Sequence, residues 1–250
     1  MINWTKTQQV WNVNRAVVST QLSLIQEGMA AVAAIEGGVM KVQPSGGATS
    51  GIGSKLQGIF MSPRRTFATN LTSVTVTIPS GGGTVLLPNT TTNLTDIGVF
   101  NAAGGAQLTV TASAASSSNV QAAYDSVTGF TSLTFDSTGY GLGGGTILNV
   151  FYTYAMSPAV ETGLFGNSSP GFYNTDLLGK VGLFKIGNVA TNCYDPQANW
   201  YSGTNDPGVK VIAGGLFTDT GSSSAGFIPT NVDVVSLPTV GSPWLELEIH

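Results

Sequence analysis

Few residues in this chain can attack, titrate near neutrality or bind a metal. It has one histidine, His250, at the last of 250 positions, and one cysteine, Cys193, in "TNCYDP". A Ser-His-Asp triad or Cys-His pair would have to recruit a terminal imidazole, a poor place to hold reacting atoms in register. The Cys/His clusters of zinc sites are missing from the sequence. Asp195, Asp206, Asp219 and Asp233 could in principle pair for glycoside hydrolysis or offer oxygens to calcium. Each sits in a turn-like context such as "YDP" or "NDPG", where Asp serves the backbone, and no EF-hand spacing occurs. "SGGGT" (80–84) and "GLGGGT" (141–146) lack the Lys-Ser/Thr of a phosphate loop and read as tight β connections. The expectation is no catalytic residue, no metal and no cofactor, hence no enzyme.

One cluster has recognition chemistry. Tyr194, Trp200 and Tyr201 fall in the polar loop "YDPQANWYSGTNDPG". Aromatic rings beside Asn and Asp can stack on a sugar or anchor a subunit interface.

Composition bounds the rest. Charged residues make up 9 % of the chain, against about 25 % for typical soluble proteins, while glycine stands at 33 residues. Thr, Val, Phe and Tyr dominate the apolar and semi-polar runs, which favours strands. Thirteen acidic against nine basic residues give a net charge of −4. Without clustered Lys or Arg, direct nucleic-acid binding is not expected. A single cysteine precludes an internal disulfide. A chain this long buries roughly three quarters of its unfolded surface, so it needs neither a disulfide nor a metal to fold. No window approaches about 18 apolar residues, and no ordinary signal peptide is visible, so no membrane partner is expected. The Asn-X-Ser/Thr sequons at Asn3, Asn70, Asn89, Asn93 and Asn167 follow from the Asn/Thr/Ser-rich composition.

Residues 5–36 carry a helical pattern. Thr5 and Gln8 fit a capping box, and Gly37-Gly38 supplies a stop. Between them Trp11, Arg15, Val18, Leu22, Ile25, Met29 and Val32 alternate at spacings of four and three, a heptad-like seam. Such a helix packs either on its own domain or against another subunit, and in the second case Trp11, Val18, Leu22, Ile25 and Met29 are the candidate contacts.

Beyond residue 38 the pattern turns to strands. "VMKVQP" and "KLQGIFM" come first. Residues 66–157 then contain no Lys or Arg and hold six strand-like runs: "SVTVTIP", "GTVLLP", "TDIGVFN", "QLTVTASA", "SLTFDS" and "ILNVFYTYAM". Their number and spacing suit an immunoglobulin-like sandwich. "KVGLFKIG", "GVKVIAGGLFT", "VDVVSLP" and "SPWLELEI" follow. Met-Ser-Pro stops at 61–63 and 156–158 bracket the lysine-free block, and proline ends a strand by removing a ladder donor. The expected fold is mainly β: an N-terminal helix or arm (1–38), a discontinuous β-barrel or sandwich domain (39–65 and 158–250), and an inserted immunoglobulin-like β-sandwich (66–157).

This layout, with segments such as "KVQPSGGAT", "TDIGVFN" and "SPWLELEI", resembles structural proteins of tailed-bacteriophage particles, most of all head decoration (cement) proteins. The resemblance implies a non-enzymatic virion protein, made in the host bacterial cytoplasm, that coats the outer surface of the capsid and stiffens it. Its partners would be copies of itself and a major capsid or other virion protein. The alternatives are a phage tail tube or fibre protein, or a carbohydrate-binding adhesin module.

Overall fold

Residues 5–36 form no long helix. Strand β1 (Gln8–Ala16) is followed by a single 3-10 turn at Ser19–Leu24 and then by strand β2 (Ala30–Glu36). This corrects the helical reading, and the reason lies in pairing. β1 is rich in Val and Asn, both weak helix formers, and it lies antiparallel to a later strand from Gln8 opposite Asn188 to Ala16 opposite Lys180. The four-three spacing is real in the sequence, but its residues are dealt to a strand, a turn and a second strand. The expected capping box is instead a turn closed by Asn3, whose Oδ1 accepts from the Thr5 N–H at 3.1 Å and the Thr5 hydroxyl at 2.7 Å. Gly37 and Gly38, at φ +60° and +76°, make a two-residue hairpin turn into β3 (Val39–Pro44) rather than a helix stop.

The computed structural model describes residues 2–3, 5–61, 69–91, 93–117, 119–124, 131–136, 142–155, 180–200 and 208–250. After β3 come β4 (Leu56–Phe60), β5 (Thr69–Thr77), β6 (Gly83–Leu86), β7 (Ile97–Asn101), β8 (Gln107–Thr111), β9 (Asn119–Tyr124), β10 (Thr131–Phe135) and β11 (Ile147–Ala155). Then follow β12 (Lys180–Thr191), β13 (Val209–Ile212), β14 (Phe217–Asp219), β15 (Gly226–Phe227), β16 (Val232–Ser236) and β17 (Leu245–Ile249). The protein is mainly β. The Met-Ser-Pro stops lie largely outside the described residues; β4 and β11 end one residue or so before each of them.

Among the described residues the strands form three sheets. The first runs β16-β17-β12-β4-β2-β3, with β1 also paired to β12. β12 is its seam, since β1, β4 and β17 all pair with it. The second holds every strand from β5 to β11, in the order β5-β11-β7-β8-β9-β10-β6. The third is small, β14-β13-β15. The strands before and after the second sheet in the chain, β4 and β12, pair with each other through Phe60–Leu183 and Ile59–Phe184.

The second sheet must curl. β5 and β6 are its two edges, yet β5 ends at Thr77 and β6 begins at Gly83. Six Cα steps reach at most about 22 Å. A flat sheet of this order would separate its edges by about 29 Å, six spacings of about 4.8 Å. Curling closes the sheet over Val76, Ile78, Leu87, Ile97, Val99, Leu108, Val120, Leu133, Leu148, Val150 and Tyr152, all buried. This single curled sheet, with a parallel β8–β9 pair, replaces the expected immunoglobulin-like sandwich of two facing sheets. The alternation that suggested a sandwich serves a curled sheet equally well, because either arrangement buries one face of each strand.

A second core lies between the first sheet and the small sheet. Ile59, Phe184, Leu245, Leu247 and Ile249 meet Val209, Val211, Phe217 and Phe227 there. Leu71, Phe100 and Phe151, from the second sheet, belong to this core too, with Phe100 and Phe151 in an edge-to-face pair at 6.0 Å. The contact joins the two large sheets.

Candidate functional site

Among the described residues no reacting set assembles. His250 lies on the surface, its Nε2 2.9 Å from Asp233 Oδ2. Cys193 is buried and its Sγ donates to the Glu27 carbonyl at 3.2 Å. Among the described residues no three His, Cys, Asp or Glu side chains group as metal ligands. Asp206 lies outside the described residues. Asp195 accepts from the Gln197 N–H and Asp219 from the Asn199 N–H, both at 2.9 Å, the backbone work expected of turn aspartates. Burial pushes the Asp195 carboxyl above its ordinary range; the negative charges of Asp219 and Asp96 add to this and the Gln197 N–H opposes it. Gly143 and Gly145 shape the turn into β11, where Gly145 N–H donates to the Ile78 carbonyl at 2.9 Å. Among the described residues no helix is long and apolar enough to cross a membrane.

Of the candidate interface residues, Val18, Ile25 and Met29 have described side chains, and each is at least half-buried within the chain. Ile25 is fully buried in the chain's own core, among Val17, Ala31, Val42, Phe60 and Leu183, and is not available to a neighbour. Met29 packs half-buried on the same cluster. Val18 is half-buried and its N–H donates to the Val42 carbonyl at 3.0 Å. The side chains of Trp11 and Leu22 lie outside what is described; the Trp11 backbone sits in β1 opposite Ile186.

Exposed apolar side chains gather instead on the β2–β3 hairpin. Ile35 is 64 % exposed, Val39 56 % and Met40 66 %. Ile35 and Met40 are direct cross-strand partners, so they stand side by side next to the Gly37-Gly38 turn. β3 is an end strand of its sheet. A lattice around Glu36 braces the hairpin. Glu36 accepts from Lys41 Nζ at 2.5 Å and from the Ser19 hydroxyl at 2.6 Å. The Lys41 bond, followed by the Ser19 bond, lowers the Glu36 carboxyl to a pKa of about 2.

The aromatic loop is divided. Tyr194 is buried, and its hydroxyl donates to the Pro243 carbonyl at 3.3 Å. Trp200 meets it edge-to-face at 6.1 Å and is half-buried. Tyr201 lies outside the described residues. The Trp200 indole N–H and the neighbouring Asn199 Oδ1 are buried without a hydrogen-bond partner.

Trp200 also lines a cavity of about 410 Å³, where the second sheet meets the C-terminal segments. Phe100 and Phe151 form its apolar wall, the β7–β8 turn its rim, and Asn149 and Thr239 add an amide and a hydroxyl. Sequence reasoning selected Trp200 but missed its partners, which come from three other segments. The hairpin tip did leave a signal: two glycines flanked by Ile35, Val39 and Met40.

No protein-family model, no curated protein and no solved structure matches this chain.

Proposed function

We propose that the chain is a structural subunit of a tailed-phage particle, a decoration or cement protein that binds the outside of the head shell and stiffens it without doing chemistry. The observation that carries this reading is the hairpin tip. Three large apolar side chains lie more than half exposed within six residues, on an end strand of a sheet. Apolar patches on a free chain invite partners, and natural proteins otherwise suppress them. Here the partner is the shell subunit, against which Ile35, Val39 and Met40 lie. The composition agrees: a net charge of −4 with no basic stripe suits a position away from packaged DNA.

The test is structural. Purified particles of the phage that encodes the chain are imaged by cryo-electron microscopy, and the free chain is sized by light scattering. The reading expects many copies on the outer shell, with the β2–β3 hairpin in contact with it, and no rings from the free chain. Absence from the particle, or density in the tail, overturns it. Rings formed by the free chain would point to a tail-tube subunit.

A further inference from the structure

We infer that the cavity beneath Trp200 is a binding site for a neutral saccharide ring, separate from the assembly surface on the β2–β3 hairpin. Its volume of about 410 Å³ falls within the range of small-molecule sites, roughly 300–1,000 Å³. Its position favours a ligand site as well, since such sites form preferentially where two units of a fold meet.

The chemistry of the walls selects the ligand. Phe100, Phe151 and Trp200 supply aromatic surface, and Asn101, Asn149 and Thr239 supply amides and a hydroxyl. Among the described residues no lining side chain carries a charge. A phosphate, carboxylate or ammonium ligand would enter with its charge unmatched. A hydrocarbon would leave the two amides facing an apolar surface. A pyranose ring matches both parts, with C–H faces for the aromatic rings and hydroxyls that both give and accept hydrogen bonds with Asn and Thr.

Trp200 is positioned for that role. Tyr194 holds one side of the indole, and Tyr194 is in turn fixed by its bond to the Pro243 carbonyl. The indole N–H has no acceptor in its present seat. A buried unpaired donor is a standing cost.

Gly104 on the rim gives a clean probe. A Cβ built there meets nothing within 4 Å, and its backbone lies outside the left-handed region. Gly104→Leu therefore adds an apolar side chain to the rim of the cavity without a clash. The experiment titrates the full-length chain with glucose, galactose, mannose, N-acetylglucosamine and their β-linked disaccharides. It follows tryptophan fluorescence and saturation-transfer NMR. At least one neutral sugar should bind saturably. Trp200→Ala and Gly104→Leu should each weaken it about tenfold or more, while Trp244→Phe leaves it unchanged and Gly104→Leu melts as the parent does. The proposal is overturned if no sugar in the panel binds, if only charged sugars bind, or if binding survives Gly104→Leu. It is equally overturned if phenol and indole saturate the cavity while every sugar fails, the result expected of a pocket for a neighbouring protein's aromatic side chain.

Discussion

The carbonyl oxygen of Pro196 occupies the space that a Cβ on Gly98 would fill. Gly98 lies in β7 of the curled sheet, and Pro196 in the loop that leaves β12. The approach brings two backbones together with nothing between them. Gln197 seals it by donating to the Ile97 carbonyl at 3.2 Å, while Gln107 donates back to the Gln197 carbonyl at 3.0 Å. Gly98→Ala forces the loop off the sheet, because a backbone oxygen cannot swing aside as a side-chain tip can. The expected cost is about 1–3 kcal/mol, read from the shift in a urea melt. A melt identical to the parent's would mean that the loop adjusts freely and that the junction is not tightly packed.

Glu36 gives a pH dependence. Its carboxyl titrates near 4.5 in the unfolded chain and near 2 when folded, so the folded state favours the ionised form. The stabilisation is complete above about pH 4.5 and is lost as pH falls through about 2. Melting temperature should fall across that window, and Glu36→Gln should flatten this part of the profile. Lys41→Met should have a similar effect, since the Lys41 bond is the largest cause of the lowered pKa. An unchanged profile in both variants would remove the Glu36–Lys41–Ser19 lattice as a brace for the hairpin.

Asp195 has the opposite sign. Burial raises its folded pKa, so the folded state favours the neutral form. Its contribution to stability is greatest below its unfolded pKa of 3.8 and is lost as pH rises through the folded value. Asp195→Asn keeps an oxygen to accept from the Gln197 N–H and removes the buried charge. The variant should be at least as stable as the parent at pH 7 by thermal melt. A clear loss of stability there would show that the ionised carboxylate has a favourable partner.

Much of the β architecture was legible because strands write themselves in period two. Leu245, Leu247 and Ile249 are buried where the alternation placed them, and the runs "SVTVTIP", "TDIGVFN" and "ILNVFYTYAM" became β5, β7 and β11. The N-terminal region misled because Trp11, Val18, Ile25 and Val32 keep a heptad spacing that strand pairing overrides: Trp11 lies opposite Ile186, and Val32 lies between Gln43 and Leu56. β9, "NVQAAY", was missed because its alanines carry little β signal. The curl of the second sheet was not legible, since it depends on which strands neighbour one another rather than on any single run. The cavity was illegible for the same reason: Phe100, Asn149, Trp200 and Thr239 are distant in sequence and meet only through the packing of Leu71, Phe100 and Phe151 on the core between the first sheet and the small sheet.

Two substitutions separate folding from assembly. Ile25 is fully buried, and Ile25→Asp places an unpaired carboxylate in the core, at a cost above about 4 kcal/mol. Met40 is 66 % exposed, and Met40→Glu should leave the melting temperature of the free chain unchanged. Under the decoration reading Met40→Glu nonetheless abolishes particle incorporation, measured by co-sedimentation with shells. Normal incorporation of a folded Met40→Glu, Ile35→Glu double variant would show that the hairpin tip does not face the shell.

The curled sheet carries its own core, and β4 and β12 bring its two chain ends close together. A fragment of residues 66–157 should therefore fold cooperatively by itself. It should not remain monomeric. Leu71, Phe100 and Phe151 pack on the core between the first sheet and the small sheet in the whole chain, and the fragment bares them as one apolar patch. Sedimentation velocity should show concentration-dependent association, and the fragment should bind a hydrophobic dye that the whole chain does not. Phe100→Ser with Phe151→Ser should return it to a monomer while its melt stays cooperative, because neither ring belongs to the core inside the curl. A fragment without a cooperative melt would mean that the curl forms only on the first sheet, with Leu71, Phe100 and Phe151 as the contacts that drive its closure.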